Sequence, residues 1–135
     1  MAYGSLAYGL LTGTFHAGMQ FDENDWRSRA GQMGVLNLFR TLFSPDDFPR
    51  NLRAVEELKA LAAEYHKTLP QLALRWTTSH PVISVALVGC RQASEVEENL
   101  GALGWAISEA DIAAIDAIFA RHNAVTMPAG WLEDA

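Results

Sequence analysis

Val82 to Val88 is the only full-length strand this sequence offers, and it stands between stretches of helical periodicity. The run is nearly continuous in apolar residues and rich in β-branched ones, the pattern of a strand buried on both faces, and Gly89 ends it. A lone strand among helices presents two unpaired ladder edges. The sequence therefore predicts a mostly helical α/β fold, or an assembly in which another segment or a second copy covers those edges.

The helices are easier to read. Leu52, Val55, Leu58, Leu61, Ala62 and Tyr65 recur at spacings of three and four, which predicts an amphipathic helix with one packed face. Thr68 and Gln71 fit a capping box with Pro70 in the first turn, opening a helix that should stop near His80-Pro81. Ser94 and Glu97 fit another, followed by Val96, Leu100 and Leu103 on one face and Gly104 as the stop. Ser108 and Asp111 open a last helix carrying Ile112, Ile115, Ile118 and Phe119. A short helix is also expected over 32–43, while Tyr3 to Gly13 and Phe15 to Arg29 read as loops and the tail from Asn123 is aperiodic.

At 135 residues, half of them hydrophobic, the chain has the length of one domain, and its formal charge of −6 argues against nucleic acid or anionic membrane as the main partner. A small molecule or another protein is the expected partner. A single cysteine, Cys90, permits no internal disulfide and no cysteine-based zinc cluster, which fits a reducing compartment such as the cytoplasm. The start, Met1-Ala2-Tyr3-Gly4, has neither the basic nor the apolar region of an export signal. His16, His66, His80 and His122 lack ligand spacing and read as surface or capping residues, so no metal is expected.

A strand, a Gly89-Cys90-Arg91-Gln92 turn and a capped helix together make an anion site, because free backbone N–H groups and the helix dipole point outward at a helix start. Arg91 adds a fork of donors suited to phosphate. The same residues also fit a plain strand terminator beside a solvated charge, and the wider pattern decides between the two. That pattern is Tyr3-x-x-Leu6-x-x-Gly9-Leu10-Leu11-Thr12-Gly13, then Asp25-Trp26-Arg27, a Leu72-Ala73-Leu74-x-Trp76 helix, Val88-Gly89-Cys90-Arg91, Glu98-Asn99-Leu100-Gly101-Ala102, and Ile107-Ser108-x-x-Asp111.

In this order the motifs resemble the C-terminal portion of the aldo-keto reductases, from Tyr3 to about Phe119, spanning the end of barrel strand 7, strand 8 and the C-terminal helices. The resemblance implies the C-terminal part of a (β/α)8 TIM barrel, in which the loops after the last two strands hold NADP(H) or NAD(H). Tyr3 matches the aromatic that stacks on nicotinamide, with an ordinary buried ring as the alternative, and Gly4, Leu6, Ala7 and Gly9 match the loop that follows the pyrophosphate. Gly89 and Arg91 match the adenosine-side phosphate site, and Glu98 and Asn99 the pair that hydrogen-bonds adenine. Arg27 either reaches the cofactor or forms a surface salt bridge. Two departures stand out. Gly4-Ser5 occupies the place of a Ser or Thr followed by Pro, and Glu95 that of a Gln or Arg, where a carboxylate repels a 2′-phosphate and accepts from a ribose 2′-hydroxyl.

The family's catalytic Tyr, Lys, Asp and His belong to strands before the matched region and map onto no residue here. A barrel of this kind takes about 250 residues, so 135 cannot close one. The resemblance thus implies the NAD(P)H-gripping part of an oxidoreductase that reduces aldehydes or ketones, inactive by itself. From a different class comes a non-catalytic helical module for oligomerisation or protein interaction, with Leu36, Phe39 and Phe43 as its surface.

Overall fold

A computed structural model of the chain describes residues 1–32 and 42–124. Among the described residues four named α-helices follow two short 3₁₀ turns, Ala7–Thr12 and Trp26–Gln32: α1 (Phe48–Glu64), α2 (Leu69–Ser79), α3 (Ala93–Leu100) and α4 (Glu109–Arg121). Residues 33–41 of the expected 32–43 helix, and the tail beyond Ala124, lie outside the described residues.

Helix α1 buries Leu52, Ala54, Val55, Leu58, Leu61 and Ala62, the face that the three-and-four spacing predicts. It packs against α2, α4 and the first 3₁₀ turn. Buried with them are Leu10, Leu69, Leu72, Ile115 and Ile118. The buried amide side chain of Asn51 donates to the Leu42 carbonyl at 3.0 Å. Pro70 lies in the first turn of α2, where its missing N–H costs nothing, and Gln71 accepts from the Thr68 amide at 3.1 Å.

The start of α4 is tied to the end of α1. Ser108 Oγ accepts from the Asp111 amide at 3.1 Å and donates to its carboxylate at 2.6 Å, while Tyr65 OH donates to the same carboxylate and accepts from the Ser108 amide at 3.0 Å. These bonds, that from Ser108 foremost and that from Tyr65 next, hold the Asp111 carboxyl below the usual carboxylate range. A folded pKa below the unfolded one contributes stability that is present at neutral pH and lost as pH falls through the folded value. The gap in melting temperature between wild type and Asp111→Asn should therefore be full at pH 6 and close below about pH 4, near the unfolded aspartate pKa of about 3.9. A pH-independent gap in thermal scans would assign the knot to packing alone.

The run 82–88 departs from expectation. Its pairing is one parallel bridge, Ala2 to Ala86, in which the Ala2 amide donates to Val85 O at 2.8 Å and the Leu87 amide to Ala2 O at 2.9 Å. Among the described residues no longer ladder forms. Val82 is 73% exposed, and Val85 and Leu87 stand half in solvent, because burial on both faces requires layers on both sides that the described residues do not supply. A second correction concerns α3. It starts at Ala93 with Gln92 as its N-cap, so Ser94 lies inside the helix and the Ser94/Glu97 capping box does not form. Val96, Leu100 and Leu103 are exposed, and α3 buries no residue of its own. A third concerns Phe43, which is buried in the core and provides no interaction surface; Leu36 and Phe39 lie outside the described residues.

The loop 15–29 is more ordered than its aperiodic sequence implies. Phe15 and Phe21 meet Phe43 and Phe48 at ring-centroid distances of 5.5–6.2 Å, and Trp26 meets Phe43 at 5.4 Å. The Arg27 guanidinium lies 5.0 Å from the Trp26 centroid and 5.6–5.8 Å from those of Phe15, Phe21 and Phe43.

Candidate nucleotide cleft

Parallel pairing makes two segments leave a bridge in the same direction. Ala2 pairs with Ala86, so Tyr3 and Gly89 both emerge just beyond the bridge, at one end of the molecule. Between them opens a cleft of about 870 Å³. Tyr3, Gly4, Leu6 and Gly9 line one side, and Gly89, Arg91, Glu95, Glu98 and Asn99 the other. Ala7 alone of the residues singled out from sequence stays off the wall and packs toward the core.

The first wall has an unusual backbone. Gly4, Ala7, Tyr8 and Gly9 all have positive φ, at 70°, 47°, 56° and 101°. Glycine carries this cheaply at positions 4 and 9, whereas Ala7 and Tyr8 are strained and need outside support. Arg27 gives it: Nε and Nη2 donate to the Tyr8 carbonyl at 3.2 and 2.7 Å, while Nη1 pairs with Asp25 at 2.7 Å. Of the two roles open to Arg27 in the sequence, neither describes it fully. Its salt bridge is partly buried, and its fork is committed to holding the turn.

Tyr3 is 78% exposed, so it belongs to no core formed by the described residues, and Tyr8 supports it edge-on at 6.1 Å. Burial, with the Tyr3 phenol second, raises the Tyr8 hydroxyl above its ordinary pKa. Ser5 also lines the cleft, and its Oγ is shut off from solvent with no hydrogen-bond partner among the described residues. Sequence reasoning noted Ser5 only as a displaced hydroxyl and passed over Tyr8. Their place inside a glycine-rich turn was the available signal.

On the second wall, a side chain at Gly89 would meet nothing within 4 Å and its φ is not left-handed, so neither packing nor backbone geometry calls for glycine there. The helix start is not free, as the sequence had suggested. Glu95 folds back and accepts from the Arg91 amide at 2.6 Å, with its other oxygen 3.4 Å from the exposed Arg91 guanidinium. The Arg91 amide is the main reason the Glu95 carboxyl lies below the usual range. Asn99 Nδ2 lies 3.4 Å from Cys90 Sγ. Gln71 fixes α3 to α2 by donating to Glu98 O at 2.9 Å, and a side chain at Gly101 would collide with that amide.

Among the described residues no cluster of His, Cys, Asp or Glu could hold a metal, and no helix is long and apolar enough to cross a membrane. His122 caps α4 and bonds Glu57 at 2.5 Å.

Comparison with known proteins gives a consistent result. The model described as the aldo/keto reductase family matches residues 1–120. Aldo-keto reductase str7 of Strobilurus tenacellus is 31% identical over 117 residues, covering 85% of this chain and 31% of that protein. The structure of a glycerol dehydrogenase from Gluconobacter oxydans superposes with a TM-score of 0.78 at 28% identity, over 97% of this chain and 37% of that one. NADH-specific methylglyoxal reductase of Escherichia coli is 28% identical over 81% of this chain and 30% of its own length. The chain thus spans about a third of the length of the relatives it matches.

Proposed function

Because this chain belongs to the aldo/keto reductase family, we propose that its cleft grips a nicotinamide dinucleotide on behalf of an oxidoreductase acting on aldehydes, ketones or the matching alcohols. In this reading the chain is the C-terminal part of a (β/α)8 barrel, the region where such barrels commonly bind phosphate. The parallel bridge carries the argument, since it brings both glycine-bearing turns to one cleft.

The residues present fit such a group. The exposed Tyr3 ring suits a flat heterocycle, the Ser5 hydroxyl has no hydrogen-bond partner among the described residues, and Gly89 leaves room for close approach of a phosphate. A bound nicotinamide supplies or accepts the hydride. The chain's own residues would do the rest: Tyr3 orients the ring, the Gly4–Gly9 turn and Ser5 face the pyrophosphate, and Arg91, Glu98 and Asn99 hold the adenosine end. Hydride transfer to a carbonyl also needs a proton donor at the developing alkoxide. No residue here matches the family's Tyr, Lys, Asp or His for that task, so the chain alone should bind cofactor without turnover.

Titration with NADH and NADPH, followed by tryptophan fluorescence, tests the reading. A saturable signal is expected with at least one of them. Tyr3→Ala should weaken it roughly 5- to 100-fold, the range of aromatic–base stacking, and Arg91→Ala should weaken it as well. Two flat titrations would favour the second reading, association with a copy or with a complementary segment, which the exposed Val82, Val85 and Leu87 support.

A further inference from the structure

Resting on the nucleotide reading of the cleft, we infer that Tyr8 is a positioning residue for the nicotinamide end: its ring braces Tyr3 edge-on and holds that exposed ring ready to stack. Tyr3 has the difficulty of any ring placed at a surface. At 78% exposure it has little packing to fix it, and exposed side chains change rotamer within picoseconds to nanoseconds. A platform that turns must be immobilised when the ligand arrives, and that loss of freedom weakens binding. The Tyr8 ring limits it, at 6.1 Å between centroids and 70° between planes. An edge-on contact takes up at most one face of Tyr3 and leaves the other to a flat heterocycle.

Tyr8 can brace a neighbour because it is itself held twice. Trp26 and Arg27, adjacent in sequence, take its ring and its carbonyl. The Trp26 ring lies 5.9 Å from that of Tyr8 at 86°, and the Arg27 fork binds the Tyr8 oxygen. Trp26 in turn meets Phe43, 4% exposed, at 5.4 Å and 85°. Edge-on contacts thus run without a gap from the cleft to the core, through Tyr3, Tyr8, Trp26 and Phe43. The backbone sets the direction of the Tyr8 ring. At φ 56° and ψ 34° it is left-handed within the Ala7–Thr12 turn, a conformation that a residue other than glycine keeps only when its surroundings over-determine it. Strain held at a cleft wall points to a use. Gly4 fits the same purpose: a side chain there would lie 3.5–3.6 Å from the Tyr8 ring, so that ring packs directly over the residue that follows Tyr3.

Two probes that differ only in the nicotinamide, NADH and ADP-ribose, separate this inference from the reading it rests on. They are titrated calorimetrically into wild type, Tyr8→Leu, Tyr8→Phe, Tyr3→Ala and the double variant Tyr3→Ala/Tyr8→Leu. Wild type should bind NADH at least ~5-fold more tightly than ADP-ribose, the lower end of ring stacking. Tyr8→Leu keeps an apolar side chain but no ring edge, and should weaken NADH about 3- to 10-fold, the size of an edge-on aromatic contact. Its affinity for ADP-ribose should stay within about twofold of wild type, which also reports that the variant is folded. Tyr8→Phe restores the ring and should restore NADH binding. Because Tyr8 acts through Tyr3, the double variant should bind NADH within about twofold of Tyr3→Ala alone. Equal affinities of wild type for the two probes, a Tyr8→Leu that weakens both alike or neither, a Tyr8→Phe that fails to restore, or additive losses in the double variant would each overturn the inference while leaving the nucleotide cleft standing. Failure of both probes to bind wild type would bring down the cleft reading as well.

Discussion

Truncating Leu72 to alanine is expected to remove about 2–5 kcal/mol of stability, the range for emptying a leucine-sized space in a packed core. Leu72 is 1% exposed and, with Val55, is among the largest fully buried side chains described. Its helix, α2, touches α1, α3 and the first 3₁₀ turn, so collapse toward the cavity would require several elements to move together. A loss of this size is a large part of the roughly 5–15 kcal/mol that holds an ordinary domain folded. Urea unfolding should show the midpoint falling with little change in slope. Leu103→Ala, on the exposed side of the segment after α3, should stay within about 0.5 kcal/mol of wild type. Comparable losses at the two positions would mean that the packing around α2 does not define the core.

The same contrast explains which parts of the fold were legible. Helix α1 has a periodic face that finds partners within the chain, and α2 and α4 also carry their own start signals, so spacing alone located Leu52, Val55 and Leu58, and Ser108 with Asp111. The apolar pattern of 82–88 states only that both faces avoid water, and says nothing about which chain provides the cover. Val82 is therefore exposed here without any contradiction in its chemistry. The start of α3 misled for another reason. Ser94 and Glu97 match a capping pattern, but Glu95 offers its carboxylate to the Arg91 amide and the helix begins two residues earlier, with Gln92 as its N-cap. Side-chain bonds that compete for the same helix start do not show in residue spacing.

The candidate site was legible to the extent that its residues lie in turns with a marked order. Gly4, Gly9, Gly89 and Arg91 line a common cleft because one parallel bridge sets their direction, and order in sequence anticipates such a bridge only through resemblance to known folds. The loop 15–29 escaped altogether. Phe15, Phe21 and Trp26 serve neither a helical nor a strand period, since they pack around a cation and against rings supplied by Phe43 and Phe48.

That cation makes the second large expectation, since replacing Arg27 should affect both the fold and the cleft. Its fork holds the carbonyl of Tyr8, in the strained left-handed stretch, and its face is shared by four aromatic rings. Taking a charge-assisted bond to a carbonyl at about 1.5–3 kcal/mol and partly desolvated ring contacts at roughly 0.5–1 kcal/mol, Arg27→Ala should lose some 2–4 kcal/mol. Arg27→Lys keeps the charge but presents no planar fork, so it should recover only part of that loss. Tyr8→Phe leaves the main-chain acceptor in place and should be the mildest of the three. Because the turn forms one wall of the cleft, Arg27→Ala should also weaken nucleotide binding under conditions where the variant is still folded, through geometry and not through lost contact with the ligand. If lysine restores both stability and binding in full, the fork is unnecessary, and the left-handed turn is held by the ring cluster alone.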